Sequence, residues 1–158
     1  MFTVCGTGHR PKYLPCKYDE KHIWAMKVKE NLKKWIVDND PEYIISGMAI
    51  GWDTWVAEAA LLLEVYLSAY TPFPEQGSKW PAAAKKRYDS ILDRASAVLR
   101  VSKEYHKDCF FKRDKAMVDN SDIVLALWNP KIKSGGTYWT VKYAESQNKK
   151  IINFWESE

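Results

Sequence analysis

The stretch FTVCGTGHRP, residues 2–11, decides the first element of the fold, because an apolar run passes directly into a glycine-containing loop. A short apolar run that ends at glycines is typical of a buried β-strand. Five similar runs follow at residues 43–45, 66–70, 97–101, 123–127 and 151–154. We therefore predict six short strands, of which residues 123–127 form the most apolar.

Longer segments with helical spacing separate these strands. Trp24, Val28, Leu32 and Ile36 recur at the spacing of one helix face, which predicts a helix over residues 19–38. The same spacing predicts helices over about 55–63, 80–95, 108–119 and 137–148. We expect Asp53 or Thr54 to cap the second helix, and Ser78 to cap the third with Pro81 in its first turn.

Strands that alternate with helices of this length form βαβ units, whose strands are parallel and covered on both faces. The sequence therefore predicts an α/β fold, a three-layer Rossmann-like domain with a mainly parallel central sheet. The chain has 158 residues, no repeat and no linker-like segment, so we expect a single domain over residues 1–158.

Composition excludes several classes of protein. The chain is 46% hydrophobic and 28% charged, unlike a disordered or collagen-like chain. It lacks an apolar run long enough to cross a membrane, and its first residues do not resemble a signal peptide. Three cysteines far apart do not suggest a disulfide framework, so we expect a cytoplasmic protein without a membrane partner. The net charge of +4 is spread along the chain, so a nucleic-acid partner is not expected.

Ligands of parallel α/β sheets bind where strands end and loops lead into helices. The loop after the first strand holds Gly6, Gly8, His9 and Arg10, which together suit an anion; a plain tight turn is the alternative. It is not a dinucleotide fingerprint, because Pro11 stands at the position of the third glycine.

Two further loops hold glycines immediately before predicted helices. In residues 46–54, SGMAIGWDT, we expect Ser46, Gly47, Gly51 and Asp53 to line one wall of a site, although no Walker lysine is present. In residues 134–137, SGGT, the N–H groups of Gly135, Gly136 and Thr137 would face a phosphate at the start of a helix.

The order and spacing of these motifs resemble the SLOG superfamily, which includes DNA-processing protein A and the "Lonely guy" (LOG) enzymes. Residues 46–54 resemble the S-G-x-A-x-G-x-D segment of the first group. Residues 113–117, RDKAM, followed by a strand and Gly135-Gly136-Thr137, resemble the LOG arrangement. The small YspA/YpsA-like bacterial and phage proteins are the most similar group, and a homodimer is an expectation from this resemblance.

The resemblance implies a nucleotide or nucleotide-derived ligand, with Arg113 as the charge that holds its phosphate. LOG enzymes hydrolyse a nucleoside monophosphate with the help of glutamates, and here Trp139, Thr140 and Ala116 stand at those positions. An indole, a hydroxyl and a methyl group cannot replace a carboxylate base. We therefore expect binding rather than this hydrolysis, and we expect Arg113 to contribute little to stability.

The sequence is also compatible with two other functions. One is an N-glycosidase that acts on a nucleoside monophosphate with other carboxylates; the other is a DNA-associated module. Trp52 or Trp139 would stack on a base, and each is equally a core residue. Histidines and cysteines lack metal-site spacing, so no metal or cofactor is expected.

Overall fold

The central sheet has six strands, and every neighbouring pair in it is parallel. The computed structural model describes residues 2–156. The strands are β1 (Thr3–Gly8), β2 (Tyr43–Ser46), β3 (Tyr66–Thr71), β4 (Ala97–Arg100), β5 (Ile123–Leu127) and β6 (Lys150–Asn153). Their order is β4-β3-β2-β1-β5-β6. The predicted α/β Rossmann-like fold is confirmed, and the sheet is parallel throughout.

Five helices cover the two faces of the sheet. They are α1 (Ile23–Asn39), α2 (Trp52–Leu62), α3 (Ala82–Arg94), α4 (Cys109–Asp119) and α5 (Gly135–Ser146). The first three share one apolar cluster against the sheet, while α4 and α5 share a second, smaller one built on Met117, Val118 and Ala144. Because both faces are covered, β5 is buried from Val124 to Leu127, as its apolar sequence predicts.

The connections make a switch point between β1 and β5. From β1 the chain moves outward through β2 and β3 to β4, and α4 then returns it to the other side of β1. The loops after β1 and β5 consequently lead to helices on opposite faces of the sheet, which leaves a crevice between them. Crevices of this kind, at the carboxyl ends of the strands, are where open α/β sheets bind ligands.

Three predicted helix starts are corrected. Residues 11–22 form a short 3-10 segment (Pro11–Tyr13) and turns, so α1 begins at Ile23, with His22 Nδ1 accepting from Trp24 N–H at 3.0 Å. Gly51 caps α2 instead of Asp53 or Thr54, because both of those side chains bond to the Ala49 backbone. Pro81, not Ser78, is the N-cap of α3.

Candidate functional site

Two neighbouring cavities occupy the crevice at the carboxyl ends of β1 and β5. The outer cavity, of about 330 Å³, lies between the loop after β1 and the start of α5. The inner cavity, of about 100 Å³, extends from it toward α2 and α4. Both are lined by Gly8, Arg10, Gly136 and Thr137, so they share one wall and one ligand can reach both.

The start of α5 forms one side of the outer cavity. Ser134 is its N-cap residue but makes no capping hydrogen bond through its side chain. The first N–H groups of a helix have no partner within the helix, so those of Gly135, Gly136 and Thr137 are available to an anion. A Cβ built on Gly136 would meet no atom within 4 Å, because this residue faces open space. Gly135 has φ +87°, a conformation that favours glycine.

His9 connects the two loops at the back of the outer cavity. Its Nε2 accepts a hydrogen bond from Asn129 N–H at 3.0 Å, which fixes Nε2 as the unprotonated nitrogen. Burial lowers the pKa of His9, so the neutral ring is the favoured form. His9 therefore lines the cavity as predicted, as a neutral group that also anchors the loop after β5.

Arg113 lies at the floor of the inner cavity and is only 3% exposed. Its Nε donates to Asp114 Oδ1 at 2.6 Å, and its Nη1 donates to Gly47 O at 2.6 Å and to Gln76 Oε1 at 3.3 Å. Burial opposes its charge, but the negative charges of Asp114 and Asp53 outweigh burial and raise the pKa of Arg113. The guanidinium is thus fixed by the protein itself, and the expectation that it contributes little to stability does not fit its burial.

Asp53 lines the inner cavity from the first turn of α2 and is 9% exposed. Among the described residues, its carboxylate accepts one hydrogen bond, from Ala49 N–H at 3.2 Å. Burial raises the pKa of Asp53 to about 6, although Arg113 acts in the opposite direction. A buried, poorly paired carboxylate in a cleft costs stability, which is a common property of binding and catalytic sites.

Asp114 is a cavity residue that the sequence analysis did not select. Its Oδ1 accepts from Arg113, and its Oδ2 lies 3.3 Å from the Thr140 hydroxyl, which also lies 2.8 Å from Gly136 O. Thr140 stands at one of the two glutamate positions of the LOG pattern. A carboxylate is therefore present beside that position, but it belongs to α4.

The structure brings most of the predicted site residues together and separates three from the cavities. Gly6, Gly8, His9, Arg10, Asp53, Arg113, Gly135, Gly136 and Thr137 line one or both cavities. The other three residues lie behind the cavity wall. The Ser46 hydroxyl donates to Asp53 O, the Gly47 carbonyl accepts from Arg113 Nη1, and Gly51 lies against the Pro11 ring. A Cβ on Gly47 would lie 2.8 Å from Arg113 Nη1, so that glycine makes room for the arginine.

Both candidate stacking indoles lie outside the cavities. Trp52 is 1% exposed, and its Nε1 donates to Leu125 O at 3.0 Å beneath the sheet. A Cβ on Gly8 would lie 2.6 Å from the Trp52 side chain, so Gly8 is required by this packing as well as by the cavity. Trp139 stacks on Tyr143 and contacts Phe111. The aromatic residues that do line the cavities are Tyr13 and Phe110.

Residues 2–156 show neither a metal-binding cluster nor a membrane-spanning helix. Within that range no cluster of three or more His, Cys, Asp or Glu side chains is placed to hold a metal ion. No helix there is long and apolar enough to cross a membrane. Cys5, Cys16 and Cys109 are buried and free.

Fold and crevice together define a Rossmann-like α/β protein with two adjoining cavities at its switch point. The chain belongs to the YspA SLOG family, whose model matches residues 4–156. It is 29% identical over 157 residues to the UPF0398 protein YpsA of Bacillus subtilis, covering 93% of this chain and 86% of that protein. A UPF0398 protein of Bacillus pumilus is also 29% identical, over 156 residues, with 92% and 83% covered.

Solved structures of DNA processing protein A share the fold. The Streptococcus pneumoniae protein superposes with a TM-score of 0.67 at 18% identity, and covers 97% of this chain. The Helicobacter pylori protein, described with a single-stranded DNA binding mode, gives 0.63 at 20% identity and covers 96% of this chain. This chain spans 50% and 64% of their lengths, respectively.

Proposed function

We propose that this protein binds a nucleotide or a nucleotide-derived small molecule in the crevice between β1 and β5. The observation that carries the proposal is the outer cavity, where the free N–H groups of α5 and the exposed guanidinium of Arg10 line one concave surface. Backbone N–H groups at a helix start and an arginine are two of the common ways in which proteins bind phosphate. The resemblance of residues 113–117 and 135–137 to the LOG arrangement implies the same ligand class.

A base would lie toward the mouth of the outer cavity. Tyr13 lines this cavity and is 51% exposed, so its ring can stack on a planar group that takes the place of the flexible Lys12 side chain, whose Nζ lies over the ring at 4.9 Å. The bases of nucleotides bind to exposed aromatic rings in this way. Tyr13 thereby takes the role that the sequence analysis gave to Trp52 or Trp139.

Gly136→Val tests the phosphate position. Because a Cβ at Gly136 meets no neighbour, the valine should leave the fold intact and fill the space beside the α5 N–H groups. We expect the affinity for adenosine monophosphate, measured by calorimetry, to fall by about tenfold or more, equivalent to roughly 1.4 kcal/mol. Unchanged affinity would show that the phosphate binds elsewhere.

Ala83→Val is the matched control, because Ala83 is the exposed second residue of α3, as Gly136 is of α5. It should leave binding unchanged. A short single-stranded oligonucleotide should be titrated in parallel, since the structural neighbour from Helicobacter pylori binds single-stranded DNA. Oligonucleotide binding that is stronger than nucleotide binding and insensitive to Gly136→Val would favour a DNA-associated module.

We expect hydrolysis of adenosine monophosphate to be weak or absent. Trp139 and Thr140 stand at the glutamate positions of the LOG pattern, and the carboxylate of Asp114 is already held by Arg113. Release of free adenine, followed by chromatography, should remain far below the rate of about 1 per second that is ordinary for enzymes. Turnover at that rate would instead establish the N-glycosidase alternative, with Asp53 and Asp114 as the candidate carboxylates.

A further inference from the structure

One exposed surface combines apolar and basic side chains where the chain enters α1. We call it the α1-start surface, and its members are Lys17, Tyr18, Lys21, Ile23, Met26 and Lys27. Ile23 is 80% exposed, Tyr18 69% and Met26 57%. Ile23 and Met26 are three residues apart on α1, so their side chains are neighbours on its outer face. Large apolar side chains that are exposed together mark a contact surface.

The fold itself holds these apolar side chains outward. Leu14 and Cys16, in the turns before α1, are buried and fix that segment to the core. Trp24 is also buried, and its Nε1 donates to Glu156 O at 3.0 Å. Because Trp24 faces inward, Ile23 beside it points away from the core. The exposure of the surface is therefore a fixed property of the folded chain.

The α1-start surface also carries a net positive charge from its three lysines. Two carboxylates, Asp19 and Glu20, lie in the same stretch of sequence. Glu20 is already bonded to Arg87, at 2.6 and 2.8 Å, and does not neutralise the lysines. Lys27 Nζ lies 3.5 Å from Glu156, but ion pairs as exposed as this one contribute little. The lysines thus remain available to an anionic partner.

The composition of the surface distinguishes three kinds of partner. A second copy, paired about a two-fold axis, would bring the lysines of one chain against the same lysines of the other, and like charges repel. A nucleic acid would attract the lysines, but its bases stack on aromatic rings, and Ile23 and Met26 are aliphatic. A bilayer with anionic lipids attracts lysines and also takes up aliphatic side chains below its headgroups. Tyrosine is common at the level of those headgroups.

We propose that the α1-start surface docks on an anionic membrane surface, with Ile23 and Met26 inserted among the lipids and the three lysines at the headgroups. None of its residues lines the crevice, so this contact goes beyond the proposed function. A membrane partner was not expected from the sequence, because the chain lacks an apolar run long enough to span a bilayer. A surface contact needs only exposed apolar side chains among cations, and that exposure is visible only in the folded chain.

Co-sedimentation with lipid vesicles tests the proposal on the unaltered protein. We expect binding to vesicles of equal parts phosphatidylglycerol and phosphatidylcholine to be at least about tenfold tighter than to phosphatidylcholine alone, because each lysine near an anionic surface adds to the affinity. Added salt should weaken this binding, since it screens the charges. Equal binding to both kinds of vesicle, or no binding to the anionic vesicles, overturns the proposal.

A charge-reversal variant locates the contact. Lys17→Glu combined with Lys21→Glu should reduce the affinity for the anionic vesicles by about tenfold or more. Lys103→Glu combined with Lys107→Glu is the matched control, because these lysines have the same spacing and are exposed in the loop after β4. The control makes the same change in net charge and should stay within about threefold of the parent protein. An equal loss in both variants would mean that overall charge drives binding, which overturns the assignment to this surface.

An apolar variant tests insertion into the lipids. Ile23→Ser combined with Met26→Ser should also reduce the affinity by about tenfold or more, because less apolar surface leaves water. Val37→Ser combined with Leu62→Ser, at similarly exposed positions, should keep the affinity of the parent protein. All four replaced side chains are exposed, so the melting temperatures should change little. Full vesicle binding by Ile23→Ser with Met26→Ser would overturn the insertion of this surface.

Two parallel titrations separate this contact from other functions. Adenosine monophosphate should bind all of these variants as it binds the parent protein, so the crevice and the α1-start surface are tested independently. A single-stranded oligonucleotide is the second probe. Oligonucleotide binding that is lost in Lys17→Glu with Lys21→Glu, together with no binding of anionic vesicles, would assign the surface to nucleic acid and overturn the membrane contact.

Discussion

Arg113→Ala is expected to destabilise the apo protein by about 3–5 kcal/mol, the usual cost of removing one partner from a buried ion pair. The change leaves the carboxylates of Asp53 and Asp114 in the inner cavity without their buried cation, and it leaves Gly47 O without the donor at 2.6 Å. For a chain of this length, the melting temperature should fall by roughly 10 °C or more. Chemical denaturation measures the change in the free energy of unfolding, and thermal melting measures the change in melting temperature.

Two comparisons show whether the burial of Arg113 is the cause. Arg94→Ala removes an exposed arginine from the last turn of α3 and should change stability by less than about 0.5 kcal/mol. Arg113→Lys keeps the positive charge but lacks the planar guanidinium with its several N–H donors. It should therefore recover only part of the stability that Arg113→Ala loses. If Arg113→Ala melts within 2 °C of the parent protein, the guanidinium is not structural, and its burial serves ligand binding alone.

Asp53→Asn is expected to stabilise the protein above pH 6. Because burial raises the pKa of Asp53 from 3.8 to about 6, the folded state binds its proton more tightly than the unfolded state does. Stability therefore falls as pH rises through the window between these two values, and above it the ionised carboxylate costs up to about 3 kcal/mol. The neutral amide avoids this cost and can still accept from Ala49 N–H.

Urea denaturation of the parent and of Asp53→Asn from pH 4 to pH 8 tests this expectation. The variant should be about 1–3 kcal/mol more stable at pH 7, and the difference should shrink as pH falls from 6 to 4, because the folded-state carboxylate becomes protonated and its burial cost is lost. Asp93→Asn, on the exposed face of α3, should change stability by less than about 0.5 kcal/mol at pH 7. If Asp53→Asn is less stable than the parent at pH 7, the attraction between the Asp53 carboxylate and Arg113 is larger than the cost of burying that carboxylate.

The sequence predicted the fold because its signals are local. Apolar runs and helical spacing mark each element, and alternation of the two leaves a parallel sheet as the natural arrangement. The predicted helix starts were less accurate where the expected capping side chain could form a hydrogen bond with another backbone group. Asp53 reads as an N-cap in the sequence, but the folded chain turns its carboxylate back to Ala49 N–H.

The candidate site was predicted as a set of loops but not as a set of contacts. Asp114 was considered only as a partner of an exposed Arg113; it was missed as a cavity residue because the sequence does not show that both side chains lie at the inner cavity. Gly47 was expected to line one wall of the site, whereas the space beside it is filled by Arg113. A glycine in a sequence shows that something lies close to the backbone, but not which group does.

The pairing of β1 with β5 also determines when the crevice can form during synthesis of the chain. Val4 is aligned with Ile123 in the sheet, so two neighbouring strands are separated by more than a hundred residues of sequence. Contacts between residues that are far apart in sequence form slowly. Parallel sheets built on such contacts therefore fold more slowly than structures with local contacts. A ribosome must therefore release β5 before the first strand obtains its second neighbour. Until then the glycine loop after β1 has no opposite wall, and a nascent chain that stops before Leu127 lacks the crevice between β1 and β5.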